Sequence, residues 1–165
     1  MVVRSAGILL YRLTDAAELQ VWIAHMGGPF WARKDAAAWS IPKGEYQPGE
    51  DPFVAARREF AEEIGTPPPE VEYAELGEFR QASGKLVTVF AAEADFAVEQ
   101  VVSNTFTVEW PPRSGKLQEF PEIDDARWVG LDEARVRLVR GQLPVLDAVL
   151  DRVRSRMRRG GEDAQ

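Results

Sequence analysis

Apolar residues along this chain change spacing several times, and each change marks an element. The runs "VVRSAGILLYRL" and "LQVWIAHM" are rich in β-branched and large apolar residues, with the polar "TDAAE" between them. That pattern predicts an opening hairpin. The following "GGPFWARKDAAAWSIPKGEYQPGE" holds four Gly, three Pro and two Trp and predicts a long loop; loops of this length in a compact domain are usually functional. From Pro52 the spacing becomes helical. At about 100° per residue, Phe53, Phe60 and Ile64 fall within roughly 40° of one another and Ala56 extends the stripe, so this face packs on a core. Asp51 is a good N-cap, Pro52 fits the first helical position, and Gly65 followed by three prolines ends the helix.

Further strands are predicted at Val71–Gln81, Leu86–Phe96 and Thr105–Trp110, with a short one around Arg127–Val129. Leu131–Leu138 and Pro144–Met157 read as helices. The mixture specifies an α/β (α+β) fold with a β-rich first third. A single domain is expected over residues 1–160, with a frayed tail over 161–165.

A length of 165 residues suits one domain with a proper core. Composition bears on function mainly by exclusion. The net charge of −7 argues against a general nucleic-acid binder. It leaves room for an anionic small substrate if a metal ion or local basic patch inverts the field. The chain has no cysteine and one histidine, His25, which rules out thiolate sites and argues against zinc. His25 ends an apolar strand and reads as a structural or rim residue. The apolar N-terminal run is broken by Arg4 and Arg12, and no stretch approaches membrane-spanning length. A cytoplasmic protein without a membrane partner is the expectation.

The predicted helix carries the chemistry. "RREFAEEIG" crowds Glu59, Glu62 and Glu63 into an arc of about 100°, away from the apolar stripe. Glu59 precedes the other two by three and four residues, a spacing at which like charges repel. Two readings stand at this point. The glutamates form a wet helical face, or a hard divalent cation sits among them. In the second case the absence of histidine and cysteine favours Mg²⁺ or Mn²⁺ over Zn²⁺.

From Gly44 to Thr66 the chain reads "GEYQPGEDPFVAARREFAEEIGT". This resembles the Nudix box, Gly-x5-Glu-x7-Arg-Glu-U-x-Glu-Glu-x-Gly-U, in which U is a bulky apolar residue. Gly44, Glu50, Arg58, Glu59, Phe60, Glu62, Glu63 and Gly65 fall on their positions, and Thr66 departs at the last. The resemblance implies a mixed β-sheet sandwiched between helices and Mg²⁺-dependent hydrolysis of a nucleoside diphosphate linked to another moiety. Carried over, it makes Glu59, Glu62 and Glu63 the metal ligands, with a carbonyl at Lys43–Gly44 as a further candidate. It has Arg58 pair with Glu50 or orient Glu59, and lets the backbone turn close to the metal at Gly44. Lys43 is placed to reach a phosphate.

Family members place the general base either in the box or in a distal loop. Here "LQEFPEIDDARWVGL" is read as that loop, with Glu122 preferred and Glu119 next. Asp124 and Asp125 read as solvated turn residues. Arg33 and Lys34 in "WARKD", and Arg113 in "PPRSGK", are candidate phosphate contacts. Trp110 is a candidate for stacking a base. Trp31 and Trp39 share that candidacy, with packing under the loop the other reading of Trp39.

Two subfamily marks are absent. Gln81 stands where a proline marks ADP-ribose hydrolases, and Ser83 or Gly84 where a tyrosine marks many dinucleoside polyphosphate hydrolases. "SAGILLYR" and "WSIPKGEYQPGED" are similar to the start and loop of small nucleotide pyrophosphohydrolases and of diadenosine tetraphosphate hydrolases. The expected substrate is therefore a nucleoside triphosphate. A dinucleoside polyphosphate is the alternative, and a non-catalytic nucleotide-binding module the rival from another class. A homodimer is left open.

Overall fold

The computed structural model describes residues 2–162. Strands β1 (Arg4–Leu13) and β2 (Leu19–Met26) form the expected antiparallel pair, in register from Tyr11↔Val21 to Leu13↔Leu19. The predicted long loop is interrupted by two short strands, β3 (Trp39–Ser40) and β4 (Lys43–Glu45). Helix α1 (Pro52–Ile64) follows, then β5 (Ala74–Arg80) and β6 (Leu86–Glu93). Strands β7 (Thr105–Glu109) and β8 (Leu117–Pro121) make a separate hairpin. Strand β9 (Ile123–Gly130) then leads into α2 (Leu131–Arg137) and α3 (Leu143–Glu162). The frayed tail expected over 161–165 lies mostly outside the described residues; α3 runs on to Glu162.

The main sheet is ordered β3-β2-β1-β6-β5, with β4 also paired to β1 and β9 to β2. β1 runs parallel to β6 and antiparallel to its other partners. Alternation along β1 explains the layering, because successive side chains point to opposite faces. Ala6, Ile8 and Leu10 join Phe60 and Ile64 of α1 in one core. Leu9 and Tyr11 join Val145, Leu146, Val149 and Val153 of α3 in the other. A mixed sheet between helices is therefore the architecture.

Two local devices aim α1. Asp51 Oδ1 accepts from the N–H groups of Phe53 (2.9 Å) and Val54 (3.0 Å), a cap worth about 1 kcal/mol. At the other end Gly65 adopts φ 86° and donates its N–H to Ala61 O at 2.8 Å, a left-handed stop that glycine takes without strain. Phe60 is fully buried, its ring centroid 5.7 Å from Trp22 and 5.5 Å from Phe96. These contacts fix the rotation of the helix, so the glutamate arc turns toward β4.

β4 itself is held through the sheet. Lys43 pairs with Gly7 and Gly44 with Ala6. Beside it, the buried Gln142 accepts from Ile41 N–H at 2.8 Å and donates to Ser40 Oγ at 2.9 Å. The polar, proline-containing sequence hides these strands, because their pairing comes from partners far along the chain.

Candidate active site

Helix α1 brings Glu59 and Glu63 against β4, with Glu62 beside Arg58 on the same helix. The Lys43 N–H donates to Glu63 Oε2 at 3.2 Å. Gly44 lies against Glu59 so closely that a methyl group there would overlap the carboxylate. Glycine is needed at this position for that approach. Arg58 makes both contacts considered from the sequence: one nitrogen donates to Glu50 at 2.9 Å and another to Glu59 at 2.8 Å. It also lies 3.6 Å from Glu62. The Glu50 hydrogen bond is the main reason its pKa rises. Arg58 thus ties the loop before the helix to the glutamate face and supplies the positive charge between the carboxylates.

Burial raises the pKa of Glu59, and Glu62 and then Glu122 add to the rise while Arg58 opposes it. The effect is largest at Glu63, pushed up to about 7 by burial; Lys43 opposes through its charge and N–H, and Glu122 and Glu59 reinforce it. Glu122 therefore stands close enough to be felt by both box carboxylates. Its backbone is held on both sides: its N–H donates to Asn104 O and its carbonyl accepts from Gly27, each at 2.8 Å. Asn104 N–H in turn donates to the Glu62 carbonyl at 2.9 Å. This chain of bonds ties the end of β8 to the glutamate helix.

Among the described residues, no three acidic or histidine side chains are already gathered as a metal cage. The donor chemistry nevertheless fits a hard divalent ion. The groups are carboxylates, the buried ones bear an ionisation cost that a cation relieves, and Gly44 leaves the backbone bare beside Glu59.

Other expected residues are placed differently. The segment read as a loop around Glu119 is strand β8, where Glu119 pairs with Thr107 and accepts from Thr105 Oγ1 at 2.8 Å. β9 is longer than the short strand predicted, because β2 pairs along it from Gly130 back to Ile123. Asp124 and Asp125 are not free turn residues: Asp124 bonds His25 at 2.6 Å and Asp125 bonds Arg127. Arg33 and Lys34 line a cavity of about 520 Å³ with His25 and Asp124, and the Lys34 ammonium lies 5.3 Å from the Trp31 ring centroid. Trp39 is 1% exposed and packs in the core. Trp110 meets Phe30 edge-on at 5.4 Å near the tip of the β7–β8 hairpin, and Arg113 occupies the turn. The larger cavity, about 1290 Å³, lies between the far end of β1 and α3, and no expected site residue lines it. Its size does not outweigh the carboxylate chemistry at the other end of β1.

The family model for the NUDIX domain matches residues 1–149. The chain belongs to the NUDIX domain family, and with its box carboxylates in place it is a Nudix hydrolase, acting on phosphoanhydride bonds. Solved structures share the fold at low identity. The NUDIX domain of Shewanella oneidensis NrtR, complexed with ADP ribose, aligns with TM-score 0.63 and 17% identity over 93% of this chain and 89% of that one. The Ap4A hydrolase of C. elegans aligns with TM-score 0.57 and 21% identity over 93% and 99% of the two chains. A MutT structure from the work on Aliivibrio salmonicida and Vibrio cholerae gives TM-score 0.52 and 19% identity over 90% and 96%. No curated protein matches the chain. Among the described residues no helix is long and apolar enough to cross a membrane.

Proposed function

We propose that this Nudix hydrolase is a Mg²⁺-dependent nucleoside triphosphate pyrophosphohydrolase. The observation that carries the reading is that Glu59 and Glu63 lie against β4, each feeling the charge of Glu122 and each held above its ordinary pKa. Such a cluster is costly without a cation and suited to phosphate chemistry with one.

Glu59, Glu62 and Glu63 would hold the metal, with a Lys43–Gly44 carbonyl as a further donor. When bound, the ion supplies charge neutralisation on the phosphate oxygens. Arg58 keeps Glu59 and Glu62 turned toward the site from the solvent side. Glu122 would accept a proton from the attacking water, its backbone held by Asn104 and Gly27. Lys43 receives a phosphate oxygen from β4. Arg33 and Lys34 approach from the loop, and Arg113 and Trp110 from the hairpin, toward the more distant parts of the substrate.

Product analysis with Mg²⁺ tests this on nucleoside triphosphates, 8-oxo-dGTP, diadenosine tetraphosphate and ADP-ribose, with Glu63→Gln alongside. Monophosphate plus pyrophosphate from one triphosphate, lost in the variant, is the expected result. Cleavage of the diadenosine compound alone would replace the triphosphate assignment. Tight nucleotide binding without any product would make the chain a nucleotide sensor.

A further inference from the structure

His25 is the chain's only histidine, and both nitrogens of its buried ring are engaged. Nε2 lies 2.7 Å from the Lys34 carbonyl oxygen, and Nδ1 lies 2.6 Å from Asp124 Oδ1. A carbonyl only accepts, so Nε2 carries a proton. A proton lies between Nδ1 and Asp124 Oδ1, so the ring is tied at both nitrogens.

Asp124 holds an unusual place in the strand. β2 and β9 pair residue for residue from Gln20↔Gly130 to His25↔Asp125; the register then shifts, and Met26 faces Ile123. Asp124 is the extra residue of that bulge, and bulges re-aim the side chains around them. Glu122 lies two residues beyond it. The ring that grips Asp124 also binds the Lys34 carbonyl, so one side chain joins the bulge to the loop carrying Arg33 and Lys34.

We infer that His25, paired with Asp124, is a positioning residue for Glu122: it holds the bulge that sets this carboxylate beside Glu59 and Glu63. The inference rests on Glu122 being the general base, as proposed above.

The surrounding charges support the pairing. β9 presents Asp124, Asp125 and Arg127, and the loop presents Arg33, Lys34 and Asp35. From α2, Arg137 stacks over Trp39, whose ring meets His25 at 5.1 Å. Asp125 is bound by Arg127 and Asp35 by Arg137, so Asp124 is the carboxylate left to pair with the ring.

Variants of the whole protein test this directly. Asp124→Ala should lower kcat about tenfold or more, with KM changed less than about twofold. In Asp124→Asn the side chain can still bond Nδ1, keeping the tie. This variant should recover most of the lost kcat. An Asp124→Ala variant with full kcat would overturn the inference, as would an Asp124→Asn variant no more active than Asp124→Ala. If wild type turns over no substrate in the panel, the base assignment fails separately. The amide signals of Gly27 and Glu122 then decide whether the tie exists: movement in Asp124→Ala supports it, and no movement refutes it.

Discussion

Replacing Glu63 by glutamine should make the metal-free protein more stable at neutral and alkaline pH, but not at low pH. Burial pushes the Glu63 carboxyl up to about 7 from the ordinary value of 4.5. Below the ordinary value the carboxyl is protonated whether the chain is folded or not, and the fold loses nothing by burying it. As pH rises from the ordinary value to the folded one, the unfolded chain ionises its carboxyl in water while the folded chain keeps its own protonated; above the folded value the buried group is ionised in place. Stability is therefore fully present at low pH and lost as pH rises. A shift of this size corresponds to about 3 kcal/mol, which partial contact with water reduces to about 2 kcal/mol. Glutamine has the same shape, still offers an oxygen to the Lys43 N–H, and carries no charge to bury. Urea unfolding in EDTA should show the two proteins equal near about pH 3.5 and the variant ahead by about 2 kcal/mol near about pH 8.5. Saturating Mg²⁺ should reverse the order, because binding at about 100 times Kd adds about 2.7 kcal/mol to the wild type alone. Equal differences at both pH values in EDTA would show that burial does not control this carboxyl.

Three further outcomes follow from the same geometry. Gly44→Ala places a methyl group in the space of the Glu59 carboxylate; kcat should fall about 100-fold while circular dichroism shows an intact fold. Arg58→Lys cannot bridge Glu50 and Glu59 with two separate nitrogens, so the Mg²⁺ concentration for half-maximal rate should rise, with stability changing by less than about 1 kcal/mol at this exposed site. Phe60→Ala empties the space between Trp22 and Phe96; chemical denaturation should show a loss of about 3–5 kcal/mol.

How far the sequence predicts this structure depends on how local each feature is. Helix α1 carries its own start in Asp51 and stop in Gly65, and its buried and charged faces follow from residue spacing alone. Both were legible, and with them the glutamate arc. The pairing of β1 with β2 was legible because each is a long apolar run with a polar turn between them. β3, β4 and β8 were not. They have two, three and five residues, and β8 is mostly exposed. Such strands carry little hydrophobic pattern, since their existence depends on a neighbour's unpaired backbone groups rather than on an apolar face.

The same division runs through the site. Three carboxylates fit on one helix because a helical turn puts residues three and four apart side by side, so a short motif can state the arrangement in full. The placement of Glu122 draws on Asn104, Gly27 and the bulge at Asp124. His25 meets that bulge from 99 residues away. Periodicity assigns His25 to a strand and Asp124 to a turn, and nothing in either assignment says that they touch. A register shift of one residue joins them, and such a shift is settled by packing across the whole sheet. The proposed metal-binding face can thus be written in a helix. The position of its proposed base depends on tertiary structure, which is why the sequence could propose Glu122 and Glu119 together while the fold sets one near the carboxylates and the other on the exposed hairpin.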